Sequence, residues 1–350
     1  MRGEKHEDKS LSKNKTVYML SRHFLRAKVL QEVYAYHCNE KASVRASEDS
    51  LVHNIARLND LGITQIAMVL ELFSEAEQMT DEAKTKYMAT ESERNPDTRF
   101  INNEFARRVS DNYDFKKQSQ HTVKLWDGEQ SRFRKAFLAF KDTQHFSEYM
   151  KSEAGFEADK EIFIKLFRFI INDESLRSTV VERSLLWEDD FDQVAQYEYM
   201  MLKKLDENTF TESMAWPKVY DERIEAEKEA FDFARGLLRD TLHNREESNE
   251  LIRAHLKGWE MERVAQMDIY LLDMAIAELE YCPSIPERVT VDEYIELSKE
   301  YSTERSKLFI NGLLDRLILE FRSEGKIVKS GRGLLRADID LDDEEAGDEK

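Results

Sequence analysis

Only eleven glycines and four prolines are available to turn a chain of 350 residues, 35% of which are charged. So few turn-formers among abundant Glu, Lys, Leu and Ala predict long helices joined by short connections, an all-α fold. The length suffices for one large or two modest domains, each with its own core. Apolar spacing places a first helix over Val17–Cys38, with Leu20, Phe24, Ala27, Gln31 and Tyr34 on one side. Arg22 and Arg26 lie one turn apart on another side, where both side chains can act on one anion. A long segment over Ser50–Ala89 carries a possible break at Gly62, followed by a polar connection, Thr90–Thr98, with Asn95-Pro96.

Further helices are predicted over Asn102–Arg108, Phe115–Trp126, Glu129–Ser152, Phe156–Ile171, Glu174–Leu186 and Asp189–Lys204. Trp216-Pro217 reads as a boundary. Beyond it helices are expected over Val219–His243, Glu247–Leu256, Arg263–Tyr281, Thr290–Tyr301 and Thr303–Ser323. Cys282-Pro283 and Ile285-Pro286 hold an extended link, because a residue before proline avoids the helical region. Thr290 with Glu293 forms a capping-box pattern. The stripe Val264, Met267, Leu271, Met274, Ala275 and Glu278-Leu279 makes Arg263–Tyr281 the most buried helix expected. Asn311-Gly312 falls inside the last helix, where a glycine costs about 1 kcal/mol against alanine and calls for a packing reason.

Catalytic patterns are missing. There is no GxxxxGK[ST], GxGxxG or GxSxG, and the glycines are too scattered for a phosphate loop. The eight histidines form no HExxH, and Asp142-x-x-His145 alone approaches the paired ExxH units of a di-iron bundle. Cys38 and Cys282 form no CxxC, which fits a reduced setting. A non-enzymatic protein with no cofactor and no metal is expected. No window of 18 apolar residues exists and Met1–Lys15 is polar, so a cytoplasmic protein without a membrane span is expected.

The formal net charge of −19 speaks against nucleic acid, but its distribution is uneven. Residues 1–30 hold eight basic and three acidic side chains, whereas Ala337–Lys350 holds eight acidic residues and one lysine. That tail has nothing to bury and is expected to be disordered, restraining non-specific binding to a basic surface elsewhere.

Against this background, Phe233-Ala-Arg-Gly-Leu-Leu238, Ala265-Gln-Met-Asp268, Ala277-Glu-Leu279, Ile285-Pro286, Val291-Asp-Glu-Tyr-Ile-Glu-Leu-Ser-Lys299 and Phe309-Ile-Asn-Gly-Leu-Leu-Asp315 together resemble the NusB family over Phe231–Phe321. The basic helix Arg22-His-Phe-Leu-Arg-Ala-Lys-Val-Leu-Gln-Glu-Val-Tyr34 resembles that family's opening helix. Residues 39–230 are far longer than in compact members. The resemblance implies an enlarged NusB-like fold of two helical subdomains. Its expected parts are a polar basic tail (1–16), an N-terminal helical subdomain with a long insertion (17–217), a C-terminal bundle (218–325) and a tail ending acidic (326–350).

The resemblance also implies a function. Such a protein pairs with the small-subunit ribosomal protein that doubles as NusE. Together they bind boxA-like leader RNA of rRNA operons within an RNA polymerase antitermination complex. Arg22 and Arg26 fall on the family's basic RNA-facing positions, although His23, Phe24 and Leu25 dilute the usual run; the alternative is that both are ordinary solvated helix charges. Phe309 falls where the family places an aromatic near RNA, and the same ring suits a helical core. Arg305, where compact members often carry an acid, and Lys307 add cations of the kind that hold single-stranded RNA. Tyr34 and Asp268 match positions at the ribosomal-protein interface, and Asn311 and Gly312 suggest a buried amide and a close helix crossing. The competing expectation is a helical adaptor that kept the fold and lost specific RNA binding.

Overall fold

The computed structural model describes residues 21–125, 127–182, 184, 186–221, 223–256 and 263–334. The expected tail 1–16, the start of the first helix, Trp126 and the acidic tail 337–350 lie outside these residues. In chain order the helices are α1 (Arg22–Cys38), α2 (Val44–Lys84), α3 (Glu91–Arg94), α4 (Glu104–Asp111), α5 (Tyr113–Gln118), α6 (Gln130–Lys141), α7 (Gln144–Lys151) and α8 (Phe156–Ile171). They continue as α9 (Glu174–Val181), α10 (Leu186–Lys204), α11 (Glu225–His243), α12 (Arg245–His255), α13 (Gln266–Tyr281), α14 (Glu287–Tyr301) and α15 (Ser306–Glu324). No strand occurs among the described residues, so the all-α expectation holds.

The described chain divides into two compact units, one of residues 56–220 and one of residues 21–55 with 221–334. The first helix therefore groups with the C-terminal bundle rather than with a subdomain running to residue 217. In the second unit α1 packs on α11, α13 and α14. Glu32 of α1 accepts hydrogen bonds from Ser50 Oγ (3.0 Å) and Asn54 Nδ2 (2.6 Å) at the start of α2. Glu48 on the same stretch receives Arg239 of α11 at 2.7 and 2.8 Å.

The unit of residues 56–220 is built around α8, whose Phe156, Ile162, Phe163, Leu166, Phe167 and Ile170 recur at helical spacing and are all buried. Aromatic rings from other segments close over it. Phe73 stacks on Phe100 at 4.4 Å, and Phe105 meets Phe163 edge-on at 5.1 Å. Inside this core Asp159 accepts from the backbone N–H of Glu104 (2.7 Å), capping α4, and from the Tyr149 hydroxyl (2.9 Å).

Several local expectations are corrected. The helix expected over Glu129–Ser152 is two helices: the first ends at Lys141 with Asp142 as its C-cap, and Thr143 caps the second by accepting from Phe146 N–H. Gly62 breaks nothing: α2 runs unbroken for 41 residues. A Cβ at Gly62 would run into the Glu198 carboxylate and lie 3.0 Å from Val219 Cγ2, so the glycine permits a close side-chain approach. Thr290 is not a cap, since α14 starts earlier, after Pro286.

Glu198 is buried, Oε2 has no hydrogen-bond partner, and burial pushes its carboxyl up to about 8. A carboxyl with a raised folded pKa holds its proton more tightly when folded, so stability falls as pH rises. The window runs from about 4.5, the unfolded value, to about 8, and each unit takes away up to about 1.4 kcal/mol. Glu198→Gln should flatten the pH dependence of thermal unfolding over that window. An unchanged slope would show that Glu198 is not protonated in the folded chain.

Candidate functional site

The helix that begins the second unit carries charged residues into its interior. Arg26 is 1% exposed and Glu278 of α13 is fully buried. Arg26 Nε donates to Glu278 Oε2 and Nη2 to Oε1, both at 2.7 Å, a planar two-bond pair. The same carboxylate accepts from Thr290 Oγ1 (2.9 Å) and from the Tyr294 hydroxyl (3.3 Å) on α14. Burial, with Glu278 beside it, pushes the Tyr294 phenol well above its usual range. Arg26 Nη1 also lies 3.3 Å from Glu293. The guanidinium is thus spent on locking α1, α13 and α14 together, and the expectation that Arg26 shares an anion with Arg22 is corrected.

His23 extends the lock outward, with Nδ1 at 2.9 Å from Glu293 and Nε2 at 3.3 Å from Glu300. The bond to Glu293 raises its pKa against the opposing effect of burial. Arg22, by contrast, is exposed and makes no ion pair among the described residues. Its guanidinium carbon sits 5.2 Å from the centre of the half-buried Phe233 ring, which steadies the cation at the surface.

A second basic element lies at the corner between α14 and α15. Arg305 and Lys307 are exposed, Leu308 is 75% exposed and Phe309 is half-buried. Asp268, near the start of α13, is nearly buried, and its two oxygens point at this corner. Ser302 Oγ donates to Oδ1 at 2.6 Å and Ser306 Oγ to Oδ2 at 2.9 Å. Ser306 Oγ also accepts from Thr303 N–H at 3.2 Å. The carboxylate expected at a partner interface instead braces the turn that presents Arg305, Lys307 and Phe309.

Tyr34 is 49% exposed and meets Tyr270 of α13 edge-on at 6.3 Å. His37 stacks on the other part of that cluster, 4.8 Å from Tyr270, and receives Arg245 Nη1 at 2.7 Å. Burial, then the Arg245 charge, lowers His37 to about 4, so this ring stays neutral at physiological pH. The result is an aromatic cluster of Tyr34, His37 and Tyr270, with Arg245 held against His37 and half of Tyr34 left at the surface.

Asn311 and Gly312 do not have the expected roles. Asn311 is half-exposed and donates to Asp315 Oδ2 at 3.2 Å, and nothing lies within 4 Å of a Cβ placed on Gly312. The sequence reading missed Glu278, His23, Tyr270, Ser302 and Ser306. Glu278 had a signal, a carboxylate inside the apolar stripe of α13 that demands a buried cation. Among the described residues no group of three His, Cys, Asp or Glu side chains could hold a metal ion, and no helix is long and apolar enough to cross a membrane.

Comparison with known proteins adds to this geometry. Residues 191–319 match the NusB family model. The chain is 45% identical over 107 residues to the transcription antitermination protein NusB of Salinibacter ruber, covering 31% of this chain and 67% of that protein. It is 37% identical over 103 residues to the NusB protein of Myxococcus xanthus, covering 29% of this chain and 73% of that one. With the NusB protein of Chloroherpeton thalassium it shares 37% identity over 117 residues, 33% of this chain and 56% of that protein. The remainder of the chain makes it larger than these relatives. The chain belongs to the NusB family.

Proposed function

We propose that this protein is an RNA-binding transcription antitermination factor. It acts with the small-subunit ribosomal protein that serves as NusE, on boxA-type leader RNA of rRNA operons, as part of the RNA polymerase antitermination complex. The observation that carries the reading is the corner of Arg305, Lys307 and Phe309, two exposed cations with no ion pair among the described residues and a ring, at a turn braced by Asp268 in a chain of this family. Cations that meet phosphates beside a ring that meets bases are the means by which single-stranded RNA is held. Arg22 adds a third surface cation on the same unit. Tyr34, half out of the surface over Tyr270, is the anchor assigned to the ribosomal protein.

Reconstitution of the purified chain with the ribosomal protein and leader RNA tests this reading. The ternary complex should form more tightly than either binary one. Tyr34→Ala should weaken the protein contact about tenfold while leaving binding of RNA by the chain alone unchanged. A complex that forms no better with all three components would contradict the reading. A second reading, a helical adaptor without specific RNA binding, is favoured by the withdrawal of Arg26 into the core.

A further inference from the structure

The unit of residues 56–220 carries a surface feature that the functional reading leaves unused. On α5, Tyr113, Lys116 and Lys117 stand at positions i, i+3 and i+4 and therefore share one face. All three are exposed, Tyr113 by 74%.

The rest of the helix is fixed firmly below them. Asn112 caps it by accepting from Phe115 N–H (2.9 Å), and its Nδ2 donates to the carbonyls of Thr211 (3.1 Å) and Met214 (2.8 Å). Tyr113 N–H donates to the Glu212 carbonyl at 2.9 Å. Phe115 is buried, 4.7 Å from the Trp216 ring. The tyrosine is thus presented by an ordered element rather than a loose loop.

Charge decides what the face suits. In a chain with 71 acidic and 52 basic residues, many arginines of this unit are paired with carboxylates. Arg99 pairs with Asp159, Arg107 with Asp111, Arg108 with Glu104, Arg132 with Glu129 and Arg134 with Glu82. Lys116 and Lys117 make no ion pair among the described residues. The acid of α5 itself, Asp114, is turned away and accepts from Trp216 N–H at 2.9 Å. Two unspent cations one turn from an exposed ring match the chemistry of single-stranded nucleic acid: ammonium groups on phosphates and a ring against a base.

We propose that the face of Tyr113, Lys116 and Lys117 is a second binding site for single-stranded RNA, outside the NusB-like bundle and indifferent to base sequence. It rests on the reading of the whole protein as RNA-binding. The test uses the full chain and a labelled, unstructured oligouridylate, with affinity measured as a function of salt. Two phosphate contacts contribute about 1.4 to the log–log salt slope. Lys116→Ala with Lys117→Ala should lower the slope by that amount. Tyr113→Ala should weaken binding roughly tenfold, and Tyr113→Phe, which keeps the ring, should bind like wild type.

An unchanged slope together with wild-type affinity of Tyr113→Ala would overturn the proposal. So would loss of polyglutamate binding in the lysine variant with RNA binding intact, which would assign the face to an acidic polypeptide. The broader reading fails separately: a wild-type chain that binds neither oligouridylate nor leader RNA sinks both, whereas retained leader-RNA binding with an unaltered slope sinks this site alone.

Discussion

Replacing Arg26 by alanine should destabilise the chain by about 3–5 kcal/mol, because it strands the fully buried Glu278 carboxylate without its cation. The loss arises in the unit that α1 closes, since Arg26, Glu278, Thr290 and Tyr294 all belong to it. Denaturant unfolding reads the effect. The double variant Arg26→Met with Glu278→Gln should recover most of the loss, as an uncharged pair of similar volume leaves no buried charge and the amide oxygen still accepts from Thr290. If Arg26→Ala instead unfolds like wild type and weakens RNA binding, then Arg26 is a surface contact and the lock between α1, α13 and α14 is wrongly drawn.

The second large effect concerns RNA. Arg22→Ala, Arg305→Ala and Lys307→Ala together should lower the salt slope of leader-RNA binding by about 2, at about 0.7 per phosphate contact on a single strand. All three side chains are exposed, so the fold should keep its helical signal and melting point. Asp268→Ala should weaken RNA binding by another route, without removing a cation, because Ser302 and Ser306 lose the acceptor that holds the corner. Its signature is weaker RNA binding at an unchanged slope. A triple variant with wild-type slope would place the RNA elsewhere on the protein.

Much of the architecture could be read from the chain because it depends on spacing. The bounds of α8 follow from Phe156 to Ile171 at helical period, and the continuous burial of α13 follows from its apolar stripe. What spacing cannot report is the partner brought in from far along the chain. Arg22 and Arg26 are one turn apart and look equivalent, yet Arg26 meets a carboxylate 252 residues away. The two informative glycines were read in reverse for the same reason. Gly62 looked like a helix break and instead admits Glu198, whereas Gly312 looked like a close crossing and faces open space. Thr290 and Glu293 had the spacing of a capping box, but Pro286 starts α14 earlier and frees Thr290 to bond Glu278. Arg305, Lys307 and Tyr34 were placed by resemblance, and the structure leaves them exposed. Asp268 was placed by resemblance too, and its carboxylate faces inward.

The most direct measurement is the affinity of the chain, with and without the ribosomal protein, for a boxA-like RNA and for a scrambled RNA of the same length and composition. It is made at several salt concentrations, since affinities at a single salt do not separate phosphate contacts from base recognition. The account predicts tighter binding of the boxA-like RNA, most strongly with the protein partner present, with similar salt slopes for the two RNAs. Equal affinity for both RNAs at every salt concentration, with and without the partner, would contradict it and leave the adaptor reading in its place.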